Sequence, residues 1–258
     1  MGLIATAFLA LGRGLLSLRY RVRVRGLEAV VAKGTGGILF LPNHPALVDP
    51  MIVAGLLYPR FQPASLADQD RIASPGVRWL TRQFKAKPMP DIAKYGESCR
   101  PAVERVIREC AEDLAQGRNL LLYPGGHLMR SRCEDLGGNS AVATILAAAP
   151  GARVVLVRTR GLWGSRFSRA AGPSPDLLTV ARRQALDLLA SFIFFCPRRE
   201  VTVELSEPSD FPREGGREAM NRAMEAYFNE AAPPALHVPH TPWEPGGSRT
   251  LLRGLEEP

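Results

Sequence analysis

The chain has 258 residues, of which 46% are hydrophobic and 22% are charged, a balance that excludes a disordered protein and allows a sizeable folded core. The formal net charge of +8 and the pI near 9.8 favour an anionic partner, namely nucleic acid, an acidic protein or an anionic lipid surface. The four cysteines show no paired spacing, so we expect reduced thiols and a cytoplasmic setting.

The first predicted element is an apolar helix within residues 1–18, followed at once by the segment RYRVRVRG. Arginines alternate in this segment with Tyr20, Val22 and Val24, which is the period of a half-buried strand. The pattern is typical of an interfacial membrane anchor with a basic collar, and equally of a helix packed on the core beside a solvated strand. The apolar run at 3–11 is too short to cross a bilayer, which takes about 20 residues.

Strands and helices alternate along the rest of the chain. The pattern predicts strands at 37–41, 64–67, 84–89, 119–123, 153–158 and 200–205, and helices at about 50–58, 74–82, 97–116, 139–148, 176–195 and 214–230. This alternation predicts an α/β fold, with one domain over 19–231 that contains a mostly parallel mixed sheet flanked by helices. Residues 232–258 are rich in proline and glycine and predict a tail or linker.

The stretch NHPALVDP, residues 43–50, follows a buried strand and places two titratable side chains on a turn. Asp49 before Pro50 is a strong signal for a helix start, since aspartate is a favoured N-cap and proline suits the first helical position. His44 on the preceding loop is also placed to donate a ring N–H to the second carboxylate oxygen. Such a pair draws a proton from a hydroxyl. The cap and the catalytic pair both stay open on this spacing.

Two later stretches also place polar residues just after an apolar run. In NLLLYPGGHLMRSR a buried strand ends, two glycines allow the backbone to turn tightly, and Arg130 follows within reach of an anionic head group. In RVVLVRTRGLWGSRFS, Arg158 and Arg160 end another buried strand. Taken alone, the first stretch favours a plain turn with solvated arginines. Because ligands of open α/β sheets bind beyond the carboxyl ends of the strands, we expect the three stretches to form one crevice. The candidate substrate-binding residues are Tyr123, Pro124, Gly125, Gly126, Arg130, Arg158 and Arg160.

In this order and at these intervals, NHPALVDP, LLYPGG and VVLVRTRGLWGS resemble successive blocks of the glycerolipid acyltransferase family, the lysophosphatidate-acyltransferase-like enzymes. The resemblance covers roughly residues 20–210 and implies a glycerol-phosphate-acyltransferase-like fold. It also implies that His44 is the general base and that Asp49 orients it. The alkoxide of a lysolipid would then attack the thioester of an acyl-carrier protein or coenzyme A. No cofactor is implied, and a Gly-x-Ser-x-Gly nucleophile elbow is absent from the sequence.

The sequence departs from the family in its acceptor blocks. The third block usually reads Phe-Pro-Glu-Gly, whereas Gly125 stands here in the glutamate position. The second block's phosphate-binding arginine has no clean counterpart, with Lys85 and Lys87 at about its place. An unusual acceptor is therefore expected. The RTRGLWGSRFS run resembles bacterial acylglycerophosphoethanolamine acyltransferases, which are often fused to an adenylating acyl-activating domain, and this implies a separate acyl-activating partner.

Three functions compete on this evidence. The first is an O-acyltransferase bound to the cytoplasmic face of the inner membrane as a peripheral or monotopic protein. The second is a catalytically reduced module on the same fold that binds lipid or acyl carrier. A nucleic-acid binder comes last, because the aromatic residues are not interleaved with arginines as a stacking platform requires. His237 and His240 form an isolated pair, so we expect no metal site.

Overall fold

A seven-stranded mixed sheet with helices on both faces forms the centre of the protein. The computed structural model describes residues 3–68, 86–89 and 96–251. Within these ranges the elements in chain order are α1 Leu3–Arg19, β1 Tyr20–Arg25, α2 Leu27–Ala32, β2 Ile38–Pro42, α3 Asp49–Phe61, β3 Ala64–Asp68, β4 Lys87–Met89, a 3₁₀ turn at Gly96–Cys99, α4 Arg100–Ala115, β5 Leu120–Leu121, α5 Ala141–Ala148, β6 Arg153–Arg160, a 3₁₀ turn at Arg169–Ala171, α6 Leu177–Ala190, β7 Arg199–Ser206, α7 Gly216–Asn229, β8 Leu236–His237 and β9 Arg249–Thr250.

The strand order in the sheet is β1-β7-β6-β2-β5-β3-β4. All of these neighbouring strands pair in parallel except β6 and β7, which are antiparallel. The predicted α/β fold with a mostly parallel mixed sheet is confirmed. The strands β6, β2 and β5 lie side by side and run in the same direction, so the loops that follow them leave the sheet at one edge.

Strand β2 lies at the centre of the core because its five residues are buried on both faces of the sheet. Leu39 and Leu41 point into a cluster with residues of α4, α5 and α7. Ile38 and Phe40 point the other way, into a cluster with residues of α2 and α3. A continuous apolar run is what such doubly covered strands require. The loop after β2 is therefore anchored at the most rigid part of the domain.

Several element boundaries differ from the sequence prediction. The helix expected at 176–195 ends at Ala190, because Phe192 and Ile193 adopt left-handed backbone angles, with φ of 48° and 65°. Helix α2 lies between predicted elements and was not expected. The predicted helix at 74–82 and the first residues of the predicted strand at 84–89 lie outside the described residues.

The segment expected to be a tail packs against the domain as far as residue 251. Ala235 and Val238 are buried. The guanidinium of Arg19, itself 3% exposed, donates hydrogen bonds to the carbonyls of Val238 at 3.0 Å and Pro239 at 2.8 Å. These partners are far from Arg19 in the sequence, so local composition carries no sign of them. The described part of the segment belongs to the same folded unit.

The arginines of β1 are exposed and form ion pairs with the neighbouring strand. Arg21 and Arg23 pair with Glu200 on the neighbouring strand β7, and Arg25 pairs with Glu204. Such exposed pairs contribute little stability, but they neutralise much of the local positive charge. In the part of the chain that the structure describes, no helix has the length and apolar character needed to span a membrane.

Arg199 joins the loop after β6 to the C-terminal segment, and replacing it tests that connection. Its buried guanidinium donates to the carbonyls of Gly161 at 2.8 Å, Gly164 at 3.1 Å and Leu236 at 2.7 Å. Arg199→Met leaves these carbonyls without their donor, and we expect the free energy of unfolding to fall by about 3 kcal/mol. The control Arg198→Met removes an exposed arginine and should change it by about 0.5 kcal/mol at most. Urea titrations would measure both values, and an equal loss in the free energy of unfolding for the two variants would contradict the prediction.

Candidate active site

The predicted stretches meet at the carboxyl ends of the adjacent strands β6, β2 and β5. His44 lies two residues beyond β2, and Tyr123 lies two residues beyond β5. The end of β6 joins the same place, since the Asn43 backbone N–H donates to the Val157 carbonyl at 3.2 Å. The three predicted stretches are therefore neighbours at this edge of the sheet.

His44 and Asp49 form a hydrogen-bonded pair. The distance from His44 Nδ1 to Asp49 Oδ2 is 2.8 Å, and the Asp49 side chain is fully buried whereas that of His44 is 14% exposed. Because a carboxylate only accepts, Nδ1 carries the hydrogen, and Nε2 is the unprotonated nitrogen of the neutral ring. A neutral imidazole oriented in this way can take up a proton while the carboxylate stabilises the resulting imidazolium.

Asp49 belongs to the site and does not cap the helix. Helix α3 begins at Asp49 itself, with Val48 in the capping position. The carboxylate reaches back along the chain, where Oδ2 also accepts the Ala46 backbone N–H at 3.1 Å. The alternative interpretation of Asp49 as an N-cap is wrong, because its oxygen atoms are engaged by His44, Ala46 and Tyr123.

Tyr123 completes the set of donors around the buried carboxylate. Its hydroxyl donates to Asp49 Oδ1 at 2.8 Å, and its ring lies 4.6 Å from the His44 ring, centroid to centroid. Burial and the nearby charge of Asp49 raise the pKa of Tyr123 well above its ordinary value, so the hydroxyl keeps its proton and remains a donor. The structure thus places this predicted substrate-binding residue against Asp49.

Asn43 holds the His44 loop to strand β6, a role that the sequence interpretation missed. Its side-chain oxygen accepts the Thr159 backbone N–H at 2.7 Å, and its amide donates to the Thr159 carbonyl at 3.1 Å. The side chain thereby pairs with β6 as another strand residue would. On the other side, the Met129 N–H donates to the His44 carbonyl at 2.9 Å. An amide directly after a buried strand was the available signal.

Glu134 is a second contributor that the sequence interpretation missed. Its side chain is buried, and Oε2 accepts the His44 backbone N–H at 2.8 Å. Burial raises the pKa of this carboxyl to about 7, more than the hydrogen bond from His44 lowers it. No local pattern marks Glu134, because it lies on an irregular loop whose course is set by contacts with α7.

The glycine turn after β5 differs in accessibility from one residue to the next. Pro124 and Gly125 are buried, whereas Gly126 is exposed with φ of 67° and its N–H bonds to the Tyr123 carbonyl at 3.1 Å. Arg130 is exposed and directly follows Met129, which is bonded to the His44 loop. Of the three arginines predicted to bind substrate, Arg130 has the position that suits an anionic group near His44.

The two predicted arginines at the end of β6 are occupied by the protein itself. Arg158 donates to Glu204 at 2.7 Å and to Glu230 at 2.7 Å, and its guanidinium lies 4.5 Å from the centre of the Tyr227 ring. Arg160 donates to the Glu230 carbonyl. These contacts give Arg158 and Arg160 partners within the protein, so we leave both arginines out of the proposed acceptor site.

The family model described as Acyltransferase matches residues 21–162, more than half of the chain. The chain belongs to the acyltransferase family. Its fold is similar to the crystal structure of the 1-acyl-sn-glycerophosphate (LPA) acyltransferase PlsC from Thermotoga maritima, with a TM-score of 0.58, 17% sequence identity, and coverage of 89% of this chain and 78% of that chain. At this identity the likeness establishes the fold. No curated protein matches the sequence.

The acyltransferase has an apolar cavity of about 210 Å³ between α1 and α3. Phe8, Leu9 and Leu16 line it from α1, while Pro50 and Met51 line it from α3. Gly12 and Gly55 also border the cavity, and their lack of side chains lets the two helices approach. Pro50, which lines this cavity, directly follows Asp49 in the chain.

The remaining sequence candidates lie apart from this pair or outside the described residues. Lys87 forms ion pairs with Asp113 at 3.0 Å and Glu109 at 3.6 Å, which ties it to α4. It is therefore not the open cation that would replace the family's phosphate-binding arginine. Lys85 lies outside the described residues.

The pair His237 and His240 has a third neighbour that the sequence interpretation did not recognise. The side chain of Glu244 bonds to His237 Nε2 at 2.7 Å and to the His240 backbone N–H at 2.8 Å. The ligand atoms of the three residues lie within 4.8 Å of one another. Burial, followed by the charges of Arg166 and Arg19, lowers the pKa of His240 to about 3. The positive charges of Arg166 and Arg19 disfavour binding of a cation. The hydrogen bonds of Glu244 to His237 and His240 instead stabilise the fold of the C-terminal segment.

Tyr123→Phe tests whether the hydroxyl is needed to compensate the buried carboxylate. The variant leaves Asp49 Oδ1 without its donor, and we expect the free energy of unfolding to fall by about 1.5–3 kcal/mol, the range for hydrogen bonds to charged groups. Tyr227→Phe serves as the comparison, since it removes a 3.2 Å hydrogen bond to the neutral carbonyl of Glu204 and should cost about 0.5–1.5 kcal/mol. Urea titrations of both variants would give the two values, and equal losses would contradict the expectation.

Proposed function

We propose that this acyltransferase moves a fatty acyl group from the thioester of an acyl-carrier protein or coenzyme A to a hydroxyl of a lysophospholipid-like acceptor. The observation that carries the proposal is the 2.8 Å bond between His44 Nδ1 and the buried Asp49 carboxylate. The net charge of +8 suits an acidic carrier protein. A separate acyl-activating, adenylating protein would then load that carrier.

In the proposed reaction His44 is the general base and Asp49 orients it. Nε2 of His44 takes the proton of the acceptor hydroxyl as its oxygen forms a bond to the thioester carbonyl carbon. The carbon–sulfur bond then breaks, and the leaving thiolate takes the proton from the imidazolium. Asp49 stays a carboxylate and stabilises the positive ring between these two transfers. The acyl group passes directly to the acceptor, without a covalent enzyme intermediate.

The surroundings of the pair suggest where the two substrates lie. The apolar cavity beside Pro50 suits an alkyl chain, since Phe8, Leu9 and Leu16 offer it only hydrocarbon and aromatic surface. Arg130, exposed on the loop bonded to His44, suits the anionic head group of the acceptor. With Arg158 and Lys87 engaged in ion pairs, a weakly charged acceptor such as an acylglycerophosphoethanolamine fits better than a glycerol phosphate.

We further propose that an anionic bilayer surface binds the face formed by α6 and the loop after it. None of the residues of α6 is buried, although this helix carries several leucines. The exposed apolar side chains of this face, each at least 39% exposed, are Leu177, Leu178, Leu186, Leu189, Phe192, Ile193, Phe194, Phe195 and Trp243. Exposed apolar side chains concentrated on one helix and the loop after it favour an interaction surface. The exposed Arg182 and Arg183 on α6 add attraction to anionic lipid.

His44→Ala is expected to abolish acyl transfer, because general-base catalysis contributes about 10²–10⁴-fold to the rate. The assay uses labelled acyl-carrier-protein and coenzyme A thioesters with a panel of lysolipids and measures label in the lipid product. His127→Ala is the matched control, because within the described residues its half-buried ring bonds only to the adjacent Leu128 carbonyl. The control should keep wild-type activity.

The same assay decides between the two competing functions. Label in one lipid with the wild type, and none with His44→Ala, supports the enzyme and names the acceptor. If the wild type transferred nothing while both proteins bound lipid or carrier saturably, the catalytically reduced binding module would be the correct function.

Replacing Phe192, Phe194 and Phe195 by serine is expected to abolish sedimentation with vesicles that contain phosphatidylglycerol, since three exposed rings are lost from the proposed contact. Wild-type binding should weaken with added salt and be smaller for neutral phosphatidylcholine vesicles. Val24→Ser, which removes an exposed apolar side chain on β1, is the control. Undiminished binding by the triple variant would contradict this membrane surface.

A further inference from the structure

Glu134 occupies the space that a side chain at position 125 would need. A Cβ atom built on Gly125 would lie 2.8 Å from Glu134 Oε1, closer than real Cβ contacts allow, and 3.6 Å from Leu136, an ordinary contact. The backbone of Gly125 is not in the left-handed region, unlike that of Gly126. The carboxyl of Glu134, rather than backbone strain, therefore excludes a side chain at position 125.

The Glu134 carboxyl is held firmly at this place. Its backbone forms two hydrogen bonds with the side chain of Asn229, the last residue of α7, at 2.7 and 2.9 Å. Glu225 and Asn221, one and two turns earlier on the same face of α7, bond to the backbone of residues 136–139. A polar stripe of α7 thus fixes the loop that delivers Glu134 to the His44 backbone.

Burial of the Glu134 carboxyl costs free energy of desolvation. Its Oε1 is buried and has no hydrogen-bond partner among the described residues, while Oε2 is used by the His44 N–H. An ordinary structural loop has no need of a buried, half-satisfied carboxyl, since an apolar residue would avoid the desolvation. Such a group persists where its position serves the site.

We propose that Glu134 takes over, from a different loop, the place of the glutamate that is absent at position 125, and that it positions His44 for proton transfer by holding its backbone N–H. This inference rests on the proposed function, because the proton transfer belongs to it. Glu134 is a positioning residue, since it acts through His44. A carboxyl on the loop fixed by α7 thus fills the space beside the turn after β5.

The test is a cycle of four proteins: wild type, Gly125→Glu, Glu134→Ala and the double variant. We expect Glu134→Ala to lower kcat about a hundredfold, as a misplaced catalytic group does, with KM for the acceptor unchanged. Gly125→Glu alone must displace Glu134 and should lose activity and melting temperature. The double variant should regain most of kcat and melting temperature, because one carboxyl again fills the space. Asp135→Ala, at the exposed neighbour of Glu134, is the control and should keep wild-type kcat.

The outcomes separate this inference from the proposed function. If the wild type transfers acyl groups but Glu134→Ala keeps its kcat, or the folded double variant is no better than Glu134→Ala, the inference fails and the function stands. If the wild type transfers nothing, the function fails, and the melting temperatures still decide whether the two positions share one space. Equal destabilisation by Gly125→Glu with and without Glu134 would show that they do not.

Discussion

The burial of one carboxylate organises the site. Asp49 has no exposed surface, and an unpaired carboxylate would be very costly at such a position. Three donors compensate it: the ring of His44 and the backbone of Ala46, both on the loop after β2, and the hydroxyl of Tyr123 on the turn after β5. The loop after β2, the start of α3 and the turn after β5 are consequently fixed relative to one another. The orientation of the His44 ring follows from this compensation.

A second group of contacts supports the histidine from its backbone side. Asn43, the residue before His44, is hydrogen-bonded to β6. The Met129 N–H donates to the His44 carbonyl, and Glu134 accepts the His44 backbone N–H. Rigid support of this kind matters because a base acts only within hydrogen-bond reach of the proton that it abstracts. The same contacts bury polar groups next to His44, which costs free energy of desolvation and is common at functional sites.

Sequence reasoning predicted the fold class and the residues of the central pair, because both depend on local patterns. Apolar runs of strand length and amphipathic helical stretches marked most elements, and His44 and Asp49 lie five residues apart on one loop. Sequence reasoning did not predict contacts between segments that are distant in the sequence. Arg158 looked like a substrate ligand because its partners Glu204 and Glu230 come much later in the chain. Glu134 was missed for the same reason, since α7 determines its position.

The pairing of β1 has a consequence for how the protein folds during synthesis. Among the described strands, β1 lies at the edge of the sheet with β7 as its neighbour, and β7, Arg199–Ser206, is the last strand of that sheet in chain order. A ribosome releases β1 long before β7, so the backbone edge of β1 has no pairing partner until the last strand of the sheet emerges. The alternating arginines on this strand keep it soluble during that interval, as charges do on unpaired edge strands.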